Sequence, residues 1–193
     1  GLQVFAQPER QSMTWSEFLV ALSSSSSSVP YVSKQDSSFT EEFSALLDDV
    51  EEPSWAREAF GEPAEACNLW CGGPRSVSSV HSDPMENIYV VCRGEKLFTL
   101  LPPTDAPLLN KQMYPCAHYQ GQSIPWFSCQ PTAEHQPLIA RVPQGYGLYL
   151  PAFWLHRVEQ STPLTIAVNW WYPAKFNGPV YAIKSYVENL PVL

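Results

Sequence analysis

The sequence predicts a mainly β protein, either a sandwich or a barrel, with a few flanking helices. Aromatic residues make up 13% of the 193 residues, charged residues only 16%, and 19 residues are proline. This composition suits short strands joined by turns better than a helical bundle. From residue 67 onward, short β-like runs recur between turn-forming residues, with no helical pattern between them. Such spacing is typical of β-sandwiches and β-barrels.

Residues 1–66 are expected to form an N-terminal extension to this β core. The chain starts at Gly1 rather than at a methionine, and we expect it to lack the true start of the protein. Residues 12–22 predict a short helix, because Thr14 can cap it. Glu17 stands three residues after Thr14, as a capping box requires.

The rest of the extension is expected to alternate between linker and ordered segments. Ser23–Ser28 is a run of serines and predicts a flexible linker. Val29–Lys34 predicts a strand. Apolar residues at helical spacing over residues 40–51 predict an amphipathic helix with a solvated acidic face, which Pro53 would end.

Residues 67–193 are expected to form the β core. The predicted strands are Asn68–Cys71, Val77–His81, Ile88–Cys92, Lys96–Leu101, Leu138–Val142, Gly147–Leu150, His156–Gln160 and Thr165–Trp171. Residues 104–137 interrupt this pattern, and an insert of this length in a compact fold is usually functional. Residues 180–190 predict a closing helix.

The negative charge of the chain is concentrated in one segment. The formal net charge is −8, and residues 36–65 hold ten acidic residues and one arginine, a sum of −9. Broad binding to a phosphate backbone needs a basic face, so we expect no nucleic-acid partner. The sequence has no run of 18 apolar residues, so we expect no membrane partner either.

Three residues have the types and spacing of a metal site. His81 and Asp83 stand two residues apart at the end of a predicted strand, so both side chains would emerge on one face. A surface histidine beside a turn aspartate explains this pattern equally well. His156 opens a later strand in an apolar stretch, where a histidine is usually a core residue but can also be a third ligand. Two histidines and one carboxylate form the facial triad of non-heme Fe(II) oxygenases.

A lysine in an apolar strand points to an anionic ligand. Lys96 is flanked by leucines and phenylalanine, and a cation in such surroundings needs an anion, here the carboxylate of a dicarboxylate cosubstrate. The alternative is an edge-strand lysine that prevents aggregation. Ser78, Asn87, Tyr89 and Asn169 would fall on strands near the same cavity and could bind that ligand, or could simply satisfy buried polar groups.

These motifs resemble the jumonji-C (JmjC) domain of 2-oxoglutarate oxygenases. The resemblance rests on His81-x-Asp83, Asn87, Tyr89, Lys96, Leu148–Pro151 before His156, and Asn169-Trp170-Trp171. It implies a cupin-like double-stranded β-helix, or jelly roll, which holds Fe(II) at His81, Asp83 and His156. It also implies that Lys96 pairs with the distal carboxylate of 2-oxoglutarate. The resemblance assigns supporting roles to Tyr89 and Ser78, and it puts Asn87 and Asn169 near the metal.

Within this family, the motifs are similar to those of a protein lysyl 3-hydroxylase. The resemblance therefore implies oxidation of a lysine in a protein substrate, such as a translation-linked GTPase, with release of succinate and CO2. It also implies a location in the cytoplasm, the nucleus or both. Full-length members carry a dimerising N-terminal region, which we expect this chain to lack. Trp171, Tyr119 and Trp126 are expected to line the substrate mouth.

Two other functions compete with this interpretation. The first is a metal-dependent endopeptidase, for which Glu86 is the nearby candidate base, although the sequence has no His-Glu-x-x-His motif. The second is a non-catalytic cupin-like binding module that recruits a partner through its acidic segment. All three metal positions and Lys96 argue against this module.

Overall fold

The computed structural model describes residues 4–109, 115–118 and 136–175. The strands there are β1 (Phe5–Gln7), β2 (Ala66–Gly72), β3 (Ser78–His81), β4 (Met85–Arg93), β5 (Glu95–Leu101), β6 (Cys116–His118), β7 (Leu138–Pro143), β8 (Gly147–Leu150), β9 (Leu155–Gln160) and β10 (Thr165–Pro173). The helices are α1 (Trp15–Ser23), α2 (Ser38–Glu41) and α3 (Ser54–Phe60), with 3-10 turns at Ser44–Asp49 and Pro103–Leu109.

Eight strands form two four-stranded antiparallel sheets. The first sheet has the order β2-β10-β4-β8 and the second has the order β3-β9-β5-β7. The chain crosses from one sheet to the other at most connections, whereas β5 and β7 are neighbours in the second sheet. This arrangement is a double-stranded β-helix, so the predicted mainly β fold is confirmed. A small parallel pair, β1 with β6, lies apart from both sheets.

Two apolar clusters pack the first sheet on both of its faces. One cluster fills the space between the sheets and includes Trp70 and Tyr89 from the first sheet and Phe98 and Val158 from the second. The other cluster covers the outer face, where Phe39 and other residues of the N-terminal extension pack against the first sheet. Since both faces are covered, β2 and β10 are buried along most of their length.

The start of the extension follows its local sequence. Helix α1 is capped by Thr14, whose Oγ1 accepts a hydrogen bond from the Glu17 amide at 3.3 Å. The Glu17 carboxylate accepts one from the Thr14 amide at 2.7 Å, so the predicted capping box is confirmed. The serine run is not a free linker, because the Arg75 guanidinium donates to the carbonyls of Ser24, Ser26 and Ser28.

Other predictions for the extension are wrong in detail. The predicted strand Val29–Lys34 is reduced to a single bridge between Val32 and Cys71, flanked by a proline that has no amide hydrogen to donate. The predicted helix over residues 40–51 is instead α2 and a 3-10 turn, separated by a break at Phe43. Its apolar side still packs on the sheet, so the spacing indicated burial correctly.

Helix α3 was not predicted, because Pro53 looks like a terminator in the sequence. In the structure Pro53 is the N-cap of α3, and Gly61 ends that helix with a φ of +74°, which glycine adopts without strain. A proline before a segment and a glycine after it are the pattern of a helix.

The eight predicted core strands are all confirmed, with ends shifted by up to three residues. Strands β1 and β6 were not predicted. The predicted helix at residues 180–190 lies outside the described residues, as does most of the insert at residues 104–137. Within the described part of the chain, no helix is long and apolar enough to span a membrane.

Candidate active site

The structure brings His81, Asp83 and His156 together. Strands β3 and β9 are neighbours, and their register pairs His81 with His156 directly. Oδ2 of Asp83 lies 3.8 Å from Nε2 of His81 and 3.6 Å from Nε2 of His156. One potential ligand atom of each residue lies within 4.8 Å of the others. This cluster of two imidazoles and a carboxylate can bind a divalent metal.

Both imidazoles are oriented by the main chain. Nδ1 of His81 lies 2.7 Å from the carbonyl oxygen of Ser79, and Nδ1 of His156 lies 2.9 Å from that of Trp154. A carbonyl oxygen only accepts, so each Nδ1 carries the hydrogen and each Nε2 keeps its lone pair. Burial and the neighbouring His81 lower the pKa of His156 to about 4, so its ring is neutral. The donor set therefore fits a divalent metal.

Asp83 reaches this cluster from a loop rather than from a strand. Strand β3 ends at His81 and does not continue to Asp83, but both side chains still reach the same cluster, as the sequence predicts. The loop before His156 holds the main chain at Asp83, because the Phe153 amide donates a hydrogen bond to the Asp83 carbonyl at 2.8 Å. Phe153 itself has a φ of +66°, a strained value for a non-glycine residue.

Lys96 is buried without an anionic partner among the described residues. It lies on β5, between β9 and β7, so it is not an edge-strand lysine. The side chain is 1% exposed, and its Nζ lies 5.1 to 5.8 Å from the ring centroids of Tyr31, Trp70 and Tyr89. Nζ donates a hydrogen bond to the Tyr31 hydroxyl at 3.3 Å. Burial lowers the pKa of Lys96 to about 7, so the ammonium favours a ligand with a carboxylate.

Buried amides from three strands form a chain beside the triad. Oδ1 of Asn169 accepts from the Trp70 indole at 2.7 Å and from Asn68 at 3.4 Å, and its amide donates to Oδ1 of Asn87 at 3.0 Å. The three asparagines are at most 4% exposed. These bonds fix the orientation of the Asn169 amide and leave the NH2 group of Asn87 as a donor.

One inner cavity contains most of the predicted site. It is lined by the triad and by Ser78, Asn87, Tyr89, Asn169 and Trp171. The rings that enclose the Lys96 ammonium, those of Tyr31, Trp70 and Tyr89, line it as well. A second cavity of about 490 Å³ adjoins it, because Gln35, Asp83 and Trp171 line both.

Sequence reasoning missed some residues of this site. Tyr31 comes from the extension and is brought to Lys96 by the bridge at Val32. A tyrosine far from the other motifs gives no local indication of this contact. Two expected mouth residues, Tyr119 and Trp126, lie outside the described residues.

Comparisons with known proteins agree with this geometry. A profile of the cupin-like domain family matches residues 2–178. JmjC domain-containing protein E of Dictyostelium discoideum is 32% identical over 90% of this chain and 63% of its own length. Lysine-specific demethylase JMJ32 of Arabidopsis thaliana is 35% identical over 84% of this chain and 57% of its own length.

A human relative adds a third match. The bifunctional peptidase and (3S)-lysyl hydroxylase JMJD7 is 37% identical over 77% of this chain and 55% of its own length. The chain thus spans between 55% and 63% of the length of these three relatives. The chain is similar to these JmjC proteins over most of its length. Since the profile covers nearly the whole chain, the chain belongs to the cupin-like domain family.

Proposed function

We propose that this chain is an Fe(II)- and 2-oxoglutarate-dependent protein hydroxylase. Its substrate would be a lysine side chain, oxidised at C3, in a protein such as a translation-linked GTPase. The observation that carries the proposal is the meeting of two features in one cavity. A triad with free Nε2 lone pairs lines that cavity, and so do the rings around the unpaired Lys96 ammonium.

His81, Asp83 and His156 would hold the metal on one side and leave its other positions open. Fe(II), when bound there, supplies the oxidative chemistry of the family: with O2 and 2-oxoglutarate, one oxygen atom enters a C–H bond and succinate and CO2 leave. The carbonyls of Ser79 and Trp154 keep both imidazoles in the metal-binding tautomer.

Lys96 would bind the distal carboxylate of 2-oxoglutarate. The ammonium has aromatic faces around it and one hydroxyl partner, Tyr31, so the carboxylate would be its only full counter-charge among the described residues. A charge-assisted hydrogen bond in a buried site is stronger than one in water, and it fixes the orientation of the ligand. Ser78 and Tyr89 line the same cavity, and Asn87 and Asn169 do so on the first sheet.

The position of Glu86 supports an oxygenase rather than a peptidase. The Glu86 carboxylate accepts a hydrogen bond from the Tyr149 hydroxyl at 2.7 Å and one from the Ala152 amide at 3.3 Å. It also does not line the inner cavity. A general base must face the nucleophile, so Glu86 on β4 is instead a structural residue that holds the loop before His156.

Mass spectrometry of lysine peptides tests this proposal. The chain, Fe(II), 2-oxoglutarate and ascorbate are incubated with a library of peptides that carry unmodified, monomethylated or trimethylated lysine. We expect a gain of about 16 mass units on unmodified lysine, matched by succinate formation, because one oxygen atom is inserted. The matched control is the chain with His81→Ala, which removes one metal ligand and leaves Lys96 intact.

Loss of a methyl group from methylated lysine, without oxidation of the unmodified side chain, would replace the proposal by demethylation. Peptide cleavage that persists with zinc and without oxygen would replace it by proteolysis. Oxidation that persists in the His81→Ala chain would show that the triad does not hold the metal.

A further inference from the structure

The cavity of about 490 Å³ leads from the protein surface to the triad. Gln35, Asp83 and Trp171 line both this outer cavity and the inner one, so the two spaces meet beside the metal-binding carboxylate. The other walls come from Asp36 and Ser37, from Glu65 and Ala66, and from Pro84 and Met85. A substrate that is too large for the inner cavity can reach the triad along this path.

Two carboxylates at the rim of the outer cavity have no partner among the described residues. Asp36 and Glu65 are exposed, and both line the cavity. Other acidic residues of the same segment are already paired, since Glu42 contacts Lys34 and Glu52 contacts Arg57. Asp36 and Glu65 are the first and last acidic residues of the segment 36–65. Among the described residues, the lining includes no basic side chain.

Both rim residues are attached to the first sheet. The amide of Ser37 donates to Oδ1 of the buried Asn68 at 3.0 Å, and the amide of Glu65 donates to the Trp171 carbonyl at 2.8 Å. Asp36 and Ser37 both have a φ of +65°, which holds the turn in a conformation that side chains disfavour. The two carboxylates at the rim of the outer cavity are therefore carried by main chain that hydrogen bonds attach to the first sheet.

We propose that this outer cavity is the entrance for the protein substrate, and that Asp36 and Glu65 bind cationic side chains on either side of the target residue. The proposal rests on the proposed function, because it assumes a protein substrate that carries a lysine to the triad. The chemistry that it selects is a basic peptide segment, since an acidic segment would meet the negative charge of Asp36 and Glu65 at the rim.

In this proposal only the two rim carboxylates bind the peptide directly, whereas the other acidic residues of the segment 36–65 do not. Glu41, Glu42, Asp48 and Asp49 do not line the outer cavity, so they contribute at most a diffuse attraction. Neutralising a rim carboxylate should weaken peptide binding, whereas neutralising a distant one should not. Each single substitution removes one negative charge, so a difference between the variants reports the position of that charge.

Binding of a fluorescein-labelled hexa-lysine peptide tests the proposal by fluorescence anisotropy. The variants are Asp36→Asn, Glu65→Gln and the double variant, with Asp48→Asn and Glu58→Gln as controls of equal charge change. Asparagine tolerates a positive φ as well as aspartate does, so Asp36→Asn preserves the turn. We expect each rim variant to weaken binding about threefold and the double variant about tenfold, as for exposed ion pairs.

The proposal is overturned if the double variant binds hexa-lysine as tightly as the parent chain. It is also overturned if the control variants weaken binding equally, because a diffuse field would then explain the attraction. Since the binding assay contains no metal or cosubstrate, it is independent of turnover. Rim-dependent binding without lysine oxidation would reject the hydroxylase and keep the entrance, whereas oxidation with an unchanged KM in the rim variants would reject the entrance alone.

Discussion

Replacing the buried lysine by methionine should stabilise the protein. Lys96 is 1% exposed, and it has no anionic partner in the part of the chain that the structure describes. Methionine has a similar length, adapts to the same aromatic surroundings and carries no charge. The Lys96→Met chain should therefore fold more stably and lose its binding of 2-oxoglutarate.

The size of this effect follows from the pKa of Lys96, which burial lowers from 10.5 to about 7. At pH 7, a difference of this size between the folded and unfolded chain costs about 4 kcal/mol of folding free energy. Methionine also leaves the Tyr31 hydroxyl without the hydrogen bond from Nζ, which offsets roughly 2 kcal/mol of that cost. We therefore expect Lys96→Met to raise the free energy of unfolding at pH 7 by about 2 kcal/mol.

The effect has a definite pH dependence. The folded-state pKa of Lys96 lies below the unfolded one, so the folded chain binds fewer protons and its stability rises with pH. Between pH 6 and 8.5, the parent should gain about 2 kcal/mol relative to the Lys96→Met chain. Burial raises the pKa of Cys71 to about 11, which acts in the opposite direction at higher pH, so the measurement stops at 8.5.

Urea unfolding of both chains at pH 6, 7, 8 and 8.5 measures these differences. A second series compares Mn(II) alone with Mn(II) plus 2-oxoglutarate. Adding 2-oxoglutarate should stabilise the parent further and leave the variant at its value with Mn(II) alone, because only the parent can pair the distal carboxylate. A variant that is less stable than the parent at pH 7 would refute the reasoning. So would two stability curves that run parallel over the whole pH range.

Three further predictions concern the same cavity. His81→Ala or Asp83→Ala should each abolish succinate formation at an unchanged melting temperature, and normal succinate production by either variant would contradict the metal site. Tyr31→Phe removes the hydroxyl that accepts from Lys96. It should raise the KM for 2-oxoglutarate about threefold at an unchanged kcat, and a fall in kcat alone would assign Tyr31 another role. Asn169→Leu leaves buried polar partners unpaired and should lower the free energy of unfolding by about 3 kcal/mol, whereas a change within 0.5 kcal/mol in urea unfolding would show that the amide chain contributes little.

The parts of the fold that the sequence predicts are those determined by residues close together in the chain. The capping box of α1 needs only Thr14 and Glu17, and the core strands are bounded by local turns of glycine and proline. The break at Phe43 depends on packing against the first sheet, which residues 40–51 alone do not describe. Strands β1 and β6 are three residues each and pair across more than 100 residues of sequence, so neither has a pattern of its own.

The candidate site shows the same division. His81 and Asp83 are close in sequence, and their types make a metal site one of two equally good interpretations. The position of His156 at the start of a later strand predicts that it can be a third ligand, and the register of β3 and β9 brings the two rings together. The sequence does not indicate Tyr31 as a site residue, because its approach to Lys96 depends on one bridge between the extension and β2.

That bridge brings a residue of the extension to the buried lysine of the barrel. The jelly roll carries Lys96, but Tyr31 reaches it from a segment joined to the barrel by two main-chain hydrogen bonds, between Val32 and Cys71. Under the proposed function, substitutions in this segment can change how tightly 2-oxoglutarate is held while every residue of the two sheets stays the same. Two proteins with the same barrel can in this way differ in the concentration of 2-oxoglutarate at which they become active.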